Sequence, residues 1–443
     1  MDRDLTHGSI GRTLILFALP MMAGNLLQQC YNIADTLIVG RVLGSDALAA
    51  VGSAYTLMTF LTSIFLGLSM GAGALFSIQQ GQGNQAGLHS AVSHAFWLLL
   101  SVTLALMALV YACIDPILRF LQVPGEVWDG LRIYLLIVFA GILATSLYNF
   151  YACLLRALGN SVAPLVFLAV SAVLNIGLDL LLVLVFPMGI AGAALATVAA
   201  QYVSAIGMAL YVRIRRPELR PRFRGIRFDR TMLGEIVHLS SLTCVQQSVM
   251  NFGILMVQGL INSFGPVVMA AFAAAVKIDT LAYLPVQDFG NAYSTFVAQN
   301  FGAGCKERIR RGSRIAMGMS LGFCVAISAL VCLFAAPLMR IFVQAQETAV
   351  IASGVQYLRT EGAFYAGIGC LFLLYGYFRA VKRPGMSVVL TVISLGTRVA
   401  LAYALAAVMG ETGIWLAIPI GWGLADAVGL WHIRRDMAKL GNL

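Results

Sequence analysis

The sequence predicts an all-α membrane protein of twelve transmembrane helices in two six-helix lobes, and three observations predict it. Of 443 residues, 60% are hydrophobic and only 11% charged, with a mean hydropathy of +0.87, which is too apolar for an ordinary soluble domain. The chain divides into twelve stretches of the roughly 20 apolar residues that a bilayer-crossing helix needs. It also repeats itself. LGSDALAAV (43–51) aligns with FGPVVMAAF (264–272), and DPILRFL (115–121) with APLMRIF (336–342), both at an offset of 221. RALGNS (156–161) aligns with RAVKRP (379–384) at 223, and GIAGAA (189–194) with GIWLAI (413–418) at 224.

Taken in order, the polar start 1–12 leads directly into a full-length apolar segment, so it reads as a retained first helix and not as a cleaved signal. The expected spans of the first lobe are 13–39, 47–77, 89–113, 130–154, 162–186 and 190–212. Those of the second are 232–262, 268–298, 313–336, 353–378, 386–408 and 413–433. The lobes are thus 1–212 and 232–443, joined by a linker at 213–231 that carries eight arginines in RIRRPELRPRFRGIRFDR. With twelve spans, both termini and the even-numbered connectors share one side, which holds 22 Lys and Arg, against four (Arg41, Arg119, Arg132, Arg340) on the other. The positive-inside bias puts the termini and the linker in the cytoplasm. It also accounts for the net charge of +10 without nucleic acid as a partner. Six helices per lobe make the copies enter the membrane in the same direction, so a pseudo-two-fold axis along the membrane normal is expected, with a central cleft between the bundles. The eight cysteines are scattered, with no CxxC, and read as small core residues.

Ionisable groups in apolar helices mark ion or substrate paths. Asp35 lies near the outer end of helix one, in YNIADTLIVGRVLG. Asn175 and Asp179, four apart, share one face of helix five, and Thr197 lies on helix six. At about 1.5 Å per residue, Asp35 is roughly 6 Å, Asp179 roughly 10 Å and Thr197 roughly 11 Å from the outer ends of their helices. Two carboxylates, an amide and a hydroxyl at similar depth suit a hard cation such as Na⁺. They suit a proton equally, because two close carboxylates rarely both stay ionised in a low dielectric. Asn175 and Thr197 could alternatively be interhelical glue. Pro20 removes a helix hydrogen bond and predicts a kink, static or bistable.

The second lobe does not copy this set, since Asn175 and Asp179 meet Arg398 and Ala402 at the repeat offset. It offers Lys277, Asp279, Tyr283, Pro285, Gln287, Asp288, Asn291, Glu361 and Arg398, which line a substrate cleft or form structural ion pairs. Gln28, Gln29, Asn32, Gln246, Gln247 and Asn251 are further cleft candidates.

NIADTLIVGRVLG, the N-x3-D of helix five, the Thr of helix six, the two six-helix lobes and the basic linker together resemble the multidrug and toxic compound extrusion transporters, in their DinF-like branch. The resemblance spans about 430 residues. It implies a cation-coupling site at Asp35, Asn175, Asp179 and Thr197 with Tyr134 beside them, and places polar residues near Asn149. It also implies a monomeric antiporter of the bacterial cytoplasmic membrane, needing no cofactor beyond its coupling ion, H⁺ or Na⁺, and expelling amphipathic, mostly cationic drugs. The family's other main branch has a Glu in helix seven, whereas this chain has no acid between His238 and Pro266.

One alternative, a flippase for a lipid-linked precursor sharing the fold, would line its cleft with several cations, but the clear intramembrane ones are Lys277, Arg398 and Arg359. A major-facilitator carrier would cluster basic residues between helices two and three, where this chain reads QQGQGNQAGLH. An enzyme would need a catalytic constellation, and the five histidines form no HExxH.

Overall fold

The computed structural model describes residues 3–120, 125–221 and 229–441, and their regular structure is helical. In the first half, α1 (Ile10–Leu43), α2 (Ser45–Gly81) and α3 (Gln85–Ala112) lead to a short α4 (Ile114–Phe120). Then come α5 (Gly125–Ala140), α6 (Ile142–Ala157), α7 (Val162–Asp179), which runs into a π-helical turn at Leu180–Val185, and α8 (Gly189–Arg215). The second half repeats the series as α9 (Arg230–Asn262), α10 (Pro266–Gly302), α11 (Lys306–Leu333) and the short α12 (Ala335–Phe342). It continues with α13 (Thr348–Gly362), α14 (Tyr365–Ala380), α15 (Pro384–Met409) and α16 (Glu411–Gly441).

Ten of these helices are long and apolar enough to cross a membrane, and twelve spans result if each bent pair counts as one. The bent pairs are α5 with α6, at 40°, and α13 with α14, at 51°. They occupy the places of the expected fourth and tenth spans. The short α4 and α12 were not expected as helices; their sequences were legible only as a repeat.

The backbone carries the duplication as well. Left-handed φ angles recur at Gly44 and Gly265 (89° and 92°), at Gly83 and Gly304 (67° and 71°), and at Gly189 and Gly410 (61° and 63°). All three pairs are 221 apart. The last differs from the 224 at which GIAGAA and GIWLAI align, because the backbone matches Gly189, at the start of α8, with Gly410, just ahead of α16, and not with Gly413.

Packing divides the chain into two compact units that do not coincide with the sequence halves. The first contains residues 1–4 and 23–244, the second residues 5–22 and 245–443. The 213–231 connector, of which residues 222–228 lie outside the described residues, joins the copied halves, but the change of packing partner falls inside α1 and α9. Within the first unit, α9 meets α2 closely because α2 presents glycines. A Cβ on Gly67 would stand 2.5 Å from Cys244 Cα, and one on Gly71 would stand 2.5 Å from Ser240 Cα. Small residues four apart let two helix backbones approach in this way. The second unit is pinned by an aromatic set, with Phe272 stacked on Trp415 at 5.7 Å and Tyr357 edge-on to it at 4.9 Å.

Candidate functional site

In the first unit the isolated polar residues of α1, α5, α7 and α8 come together. Asp35 is carried by α1, Tyr134 by α5, Asn175 and Asp179 by α7, and Thr197 by α8. Because α1 continues to Leu43 and not to residue 39, Asp35 lies about 12 Å from the C-terminal end of its helix, two turns in and closer to the expected depth of Asp179. Asp179 ends the α-helical part of α7, and the π turn starts at the next residue. Such turns often occur at functional positions, and nothing in the apolar run LLLVLV announces one.

The carboxyls of Asp35 and Asp179 face each other within hydrogen-bonding reach. Asp179 is fully buried. Asp35 Oδ1 and both carboxyl oxygens of Asp179 are buried with no donor among the described residues. Ionised carboxylates only accept hydrogen bonds, so two of them placed face to face cannot bond. A proton or a metal cation between them is what would join the pair. Asn175 Nδ2 donates to Thr197 Oγ1 at 3.4 Å, and that hydroxyl donates to the Ala193 carbonyl at 3.1 Å. Asn175 Oδ1 is left buried without a donor, one more oxygen for a hard ion. Tyr134 lies near both carboxyls and near Tyr31.

Sequence reasoning missed Tyr31. It stands one helical turn before Asp35, accepts support from the Gln28 side chain, and lies near Asp35, Tyr55 and Tyr148. The i, i+4 spacing to Asp35 was the available signal. Asn149 is not brought to this set; its amide donates to the Thr145 carbonyl one turn back at 2.9 Å. Pro20 sits within an unbroken α1, three residues before the packing partner changes at Ala23.

The cleft candidates are dispersed. Gln28 is exposed, Asn32, Asn251, Tyr283 and Gln287 are half-buried, and Gln246 and Gln247 are buried. Asp288 and Glu361 are each 3% exposed, so in this conformation neither presents its carboxyl to an open surface. Glu361 belongs instead to a second acid pair inside the second unit. Its carboxyl and that of Asp279 on α10 are within hydrogen-bonding reach, Tyr357 bonds Glu361, and Tyr365 stands beside Asp279. Arg398 acts on both acids electrostatically, yet its Nε has no partner. Asp279, Glu361 and Arg398 are singled out one by one in the sequence, Tyr357 and Tyr365 are not, and the 82 residues between the two acids hide their pairing. Another buried acid, Asp426 on α16, lies against Cys370 on α14. Among the described residues no group of three or more His, Cys, Asp or Glu is arranged to hold a metal ion, so a Na⁺ site would depend on the mixed oxygens of the first unit.

The profile of the MatE family matches residues 20–181 and again residues 242–404, once in each sequence half. Probable multidrug resistance protein YpnP of Bacillus subtilis is 31% identical over 434 residues, 97% of this chain and 96% of that protein. A solved MOP-superfamily transporter from Pyrococcus furiosus superposes with a TM-score of 0.93 at 22% identity, covering 99% of this chain and 98% of its own. A multidrug resistance MATE-family transporter in its outward-facing conformation gives 0.92 at 23% identity, covering 98% of each chain. Both likenesses concern the fold.

Proposed function

From the premise that the chain belongs to the MatE family, whose members are membrane transporters and not enzymes, we propose that it is a secondary active antiporter. It exports amphipathic, mostly cationic organic compounds across the bacterial cytoplasmic membrane, with both termini in the cytoplasm, in exchange for inward H⁺ or Na⁺. It works as a monomer by alternating access. The observation that carries this reading is the carboxyl pair of Asp35 and Asp179, three of whose oxygens are buried with no donor among the described residues.

The pair has two electrostatic states. Without a cation it concentrates negative charge in a low dielectric, where like charges repel strongly. With a proton or Na⁺ it becomes a joined pair carrying one less charge. A ligand biases conformation only through its different affinity for two states, so the cation favours whichever arrangement of α1 and α7 brings the carboxyls into contact. Asn175 and Thr197 supply neutral oxygens whose mutual bond keeps them oriented, and Tyr134, which lies near both carboxyls, offers a hydroxyl donor to the one left charged when the pair separates. Asp35 lies on the part of α1 that packs in the first unit, and Pro20 marks the approach to the change of partner at Ala23. These placements support a joint through which the state of Asp35 reaches the inner part of the helix. For the exported compound, a carboxylate favours a cation both by its field and by a charge-assisted hydrogen bond.

The test is dye efflux from proteoliposomes driven by a pH gradient alone and then by a Na⁺ gradient alone. Acceleration by at least one gradient is expected, and it is expected to vanish in Asp35→Asn/Asp179→Asn. Full-rate gradient-driven efflux by that double variant would remove the basis of the proposal.

A further inference from the structure

The polar residues ahead of α1 are more firmly held than their composition suggests. Leu5 is fully buried. Its N–H donates to Gln299 Oε1 at 3.2 Å, and its carbonyl accepts from Asn300 Nδ2 at 3.2 Å. Arg308, in the first turn of α11, donates to the same carbonyl through Nε at 3.3 Å and Nη2 at 3.2 Å. It also donates to the His7 carbonyl through Nη2 and to the Gly8 carbonyl through Nη1, both at 2.8 Å. The guanidinium lies 5.5 Å from the centre of the Phe296 ring. A planar fork that engages three carbonyls and an aromatic face is specific to arginine; a lysine ammonium has neither the shape nor the reach.

All of those partners belong to the second unit. Arg3, two residues earlier, donates its N–H to the Gly159 carbonyl at 3.2 Å in the first unit. Only Asp4 separates residues held by different units, and one residue extends at most about 3.6 Å. Little slack is therefore available, and a cycle that moves the units against each other loads both attachments. The Arg3 bond is a neutral backbone one, whereas Arg308 supplies a set of charge-assisted bonds, which are the stronger kind. The repeat places no arginine at the corresponding position. At the offset of 221 Arg308 falls on Gly87, where a Cβ would stand 2.3 Å from Gln79 Oε1.

We propose that Arg308 is a positioning residue for transport: it keeps the peptide Leu5–Gly8 and the inner part of α1 on the second unit throughout the cycle, so that the Arg3–Gly159 bond is the attachment that opens. This rests on the alternating-access reading above. Arg308 touches neither cation nor drug, and its effect on transport runs through α1.

Two measurements on the full chain test it. The first is amide exchange of residues 3–8 in the purified protein at high pH without Na⁺, and again after addition of acid or Na⁺. Leu5 is expected to stay protected in all conditions while Arg3 loses protection on cation loading. Equal loss at Leu5 overturns the proposal. The second is ethidium efflux by His7→Cys/Arg308→Cys, before and after joining the thiols with a short bis-thiol-reactive linker about as long as the arginine side chain. Unlinked protein is expected to turn over about tenfold more slowly with unchanged ethidium affinity, and linking is expected to restore the rate. Arg308→Lys is expected to resemble the unlinked form. Linked protein that stays slow or stops overturns the proposal, as does unlinked protein with the original rate. If the unaltered chain moves no ethidium under either gradient, the antiport reading is the one that fails, and amide exchange still decides the clamp.

Discussion

Replacing Asp35 by Asn is the most searching perturbation of the coupling site, because it changes the bonding of a buried pair with almost no change in volume. In the unaltered protein the two carboxyls lie within reach of each other, and Asp179 has no donor to either oxygen. The amide of Asp35→Asn brings an N–H donor to a fully buried carboxylate, and a hydrogen bond to a charged group is worth about 1.5 to 3 kcal/mol. At about 1.4 kcal/mol per decade, that is a factor of roughly 10 to 150 in the equilibrium between joined and separated arrangements. The variant thus holds permanently the bond that a cation otherwise makes, and the cation loses that much of its leverage over conformation. In proteoliposomes the gradient-driven part of dye efflux should fall by roughly 10- to 150-fold, with equilibrium dye binding retained and the detergent unfolding midpoint unchanged or raised. Adding Asp179→Asn should cost less than about threefold more, because residues acting as one unit are strongly non-additive. An Asp35→Asn protein whose efflux responds to the gradient like the original would refute the reasoning.

Other outcomes follow from the same structure. Tyr134→Phe removes a hydroxyl close to both acids while keeping the ring, so gradient-driven efflux should fall by about 5- to 10-fold, the worth of one hydrogen bond of about 1 kcal/mol or slightly more, with no loss of expression. Glu361→Gln tests whether the acid pair of the second unit drives coupling; on the present reading the dependence on pH or Na⁺ stays within about threefold, and loss of gradient response would move the coupling site there. Gly71→Ala puts a Cβ 2.5 Å from Ser240 Cα, an overpacking that should cost about 1 to 3 kcal/mol and lower the detergent unfolding midpoint, whereas alanine at Gly177, where a Cβ meets nothing within 4 Å, should leave it unchanged or raise it.

The spans and the duplication were legible because both are periodic signals of composition, and the two acids of the first unit because each is an isolated charge in an apolar run. Tyr134 could be placed only through the family resemblance, since nothing local distinguishes it from an interfacial tyrosine. The pairing of Asp279 with Glu361 was hidden for a different reason. Each acid alone fits a cleft wall as well as a buried bond, and only tertiary packing decides. The π turn after Asp179 and the mid-helix change of partner in α1 and α9 leave no trace in hydropathy, which records how apolar a residue is and not which neighbour it touches.

The exchange of N-terminal segments between α1 and α9 bears on how such a chain could arise. A polypeptide severed within the central connector would give two fragments, and neither would possess every helical segment its own core requires. Each would borrow half a helix from the other. A progenitor of half this length would have met the same shortage and could satisfy it only by pairing with an identical molecule and trading those segments, as domain-swapped dimers do. Joining two such copies end to end would make that partnership covalent.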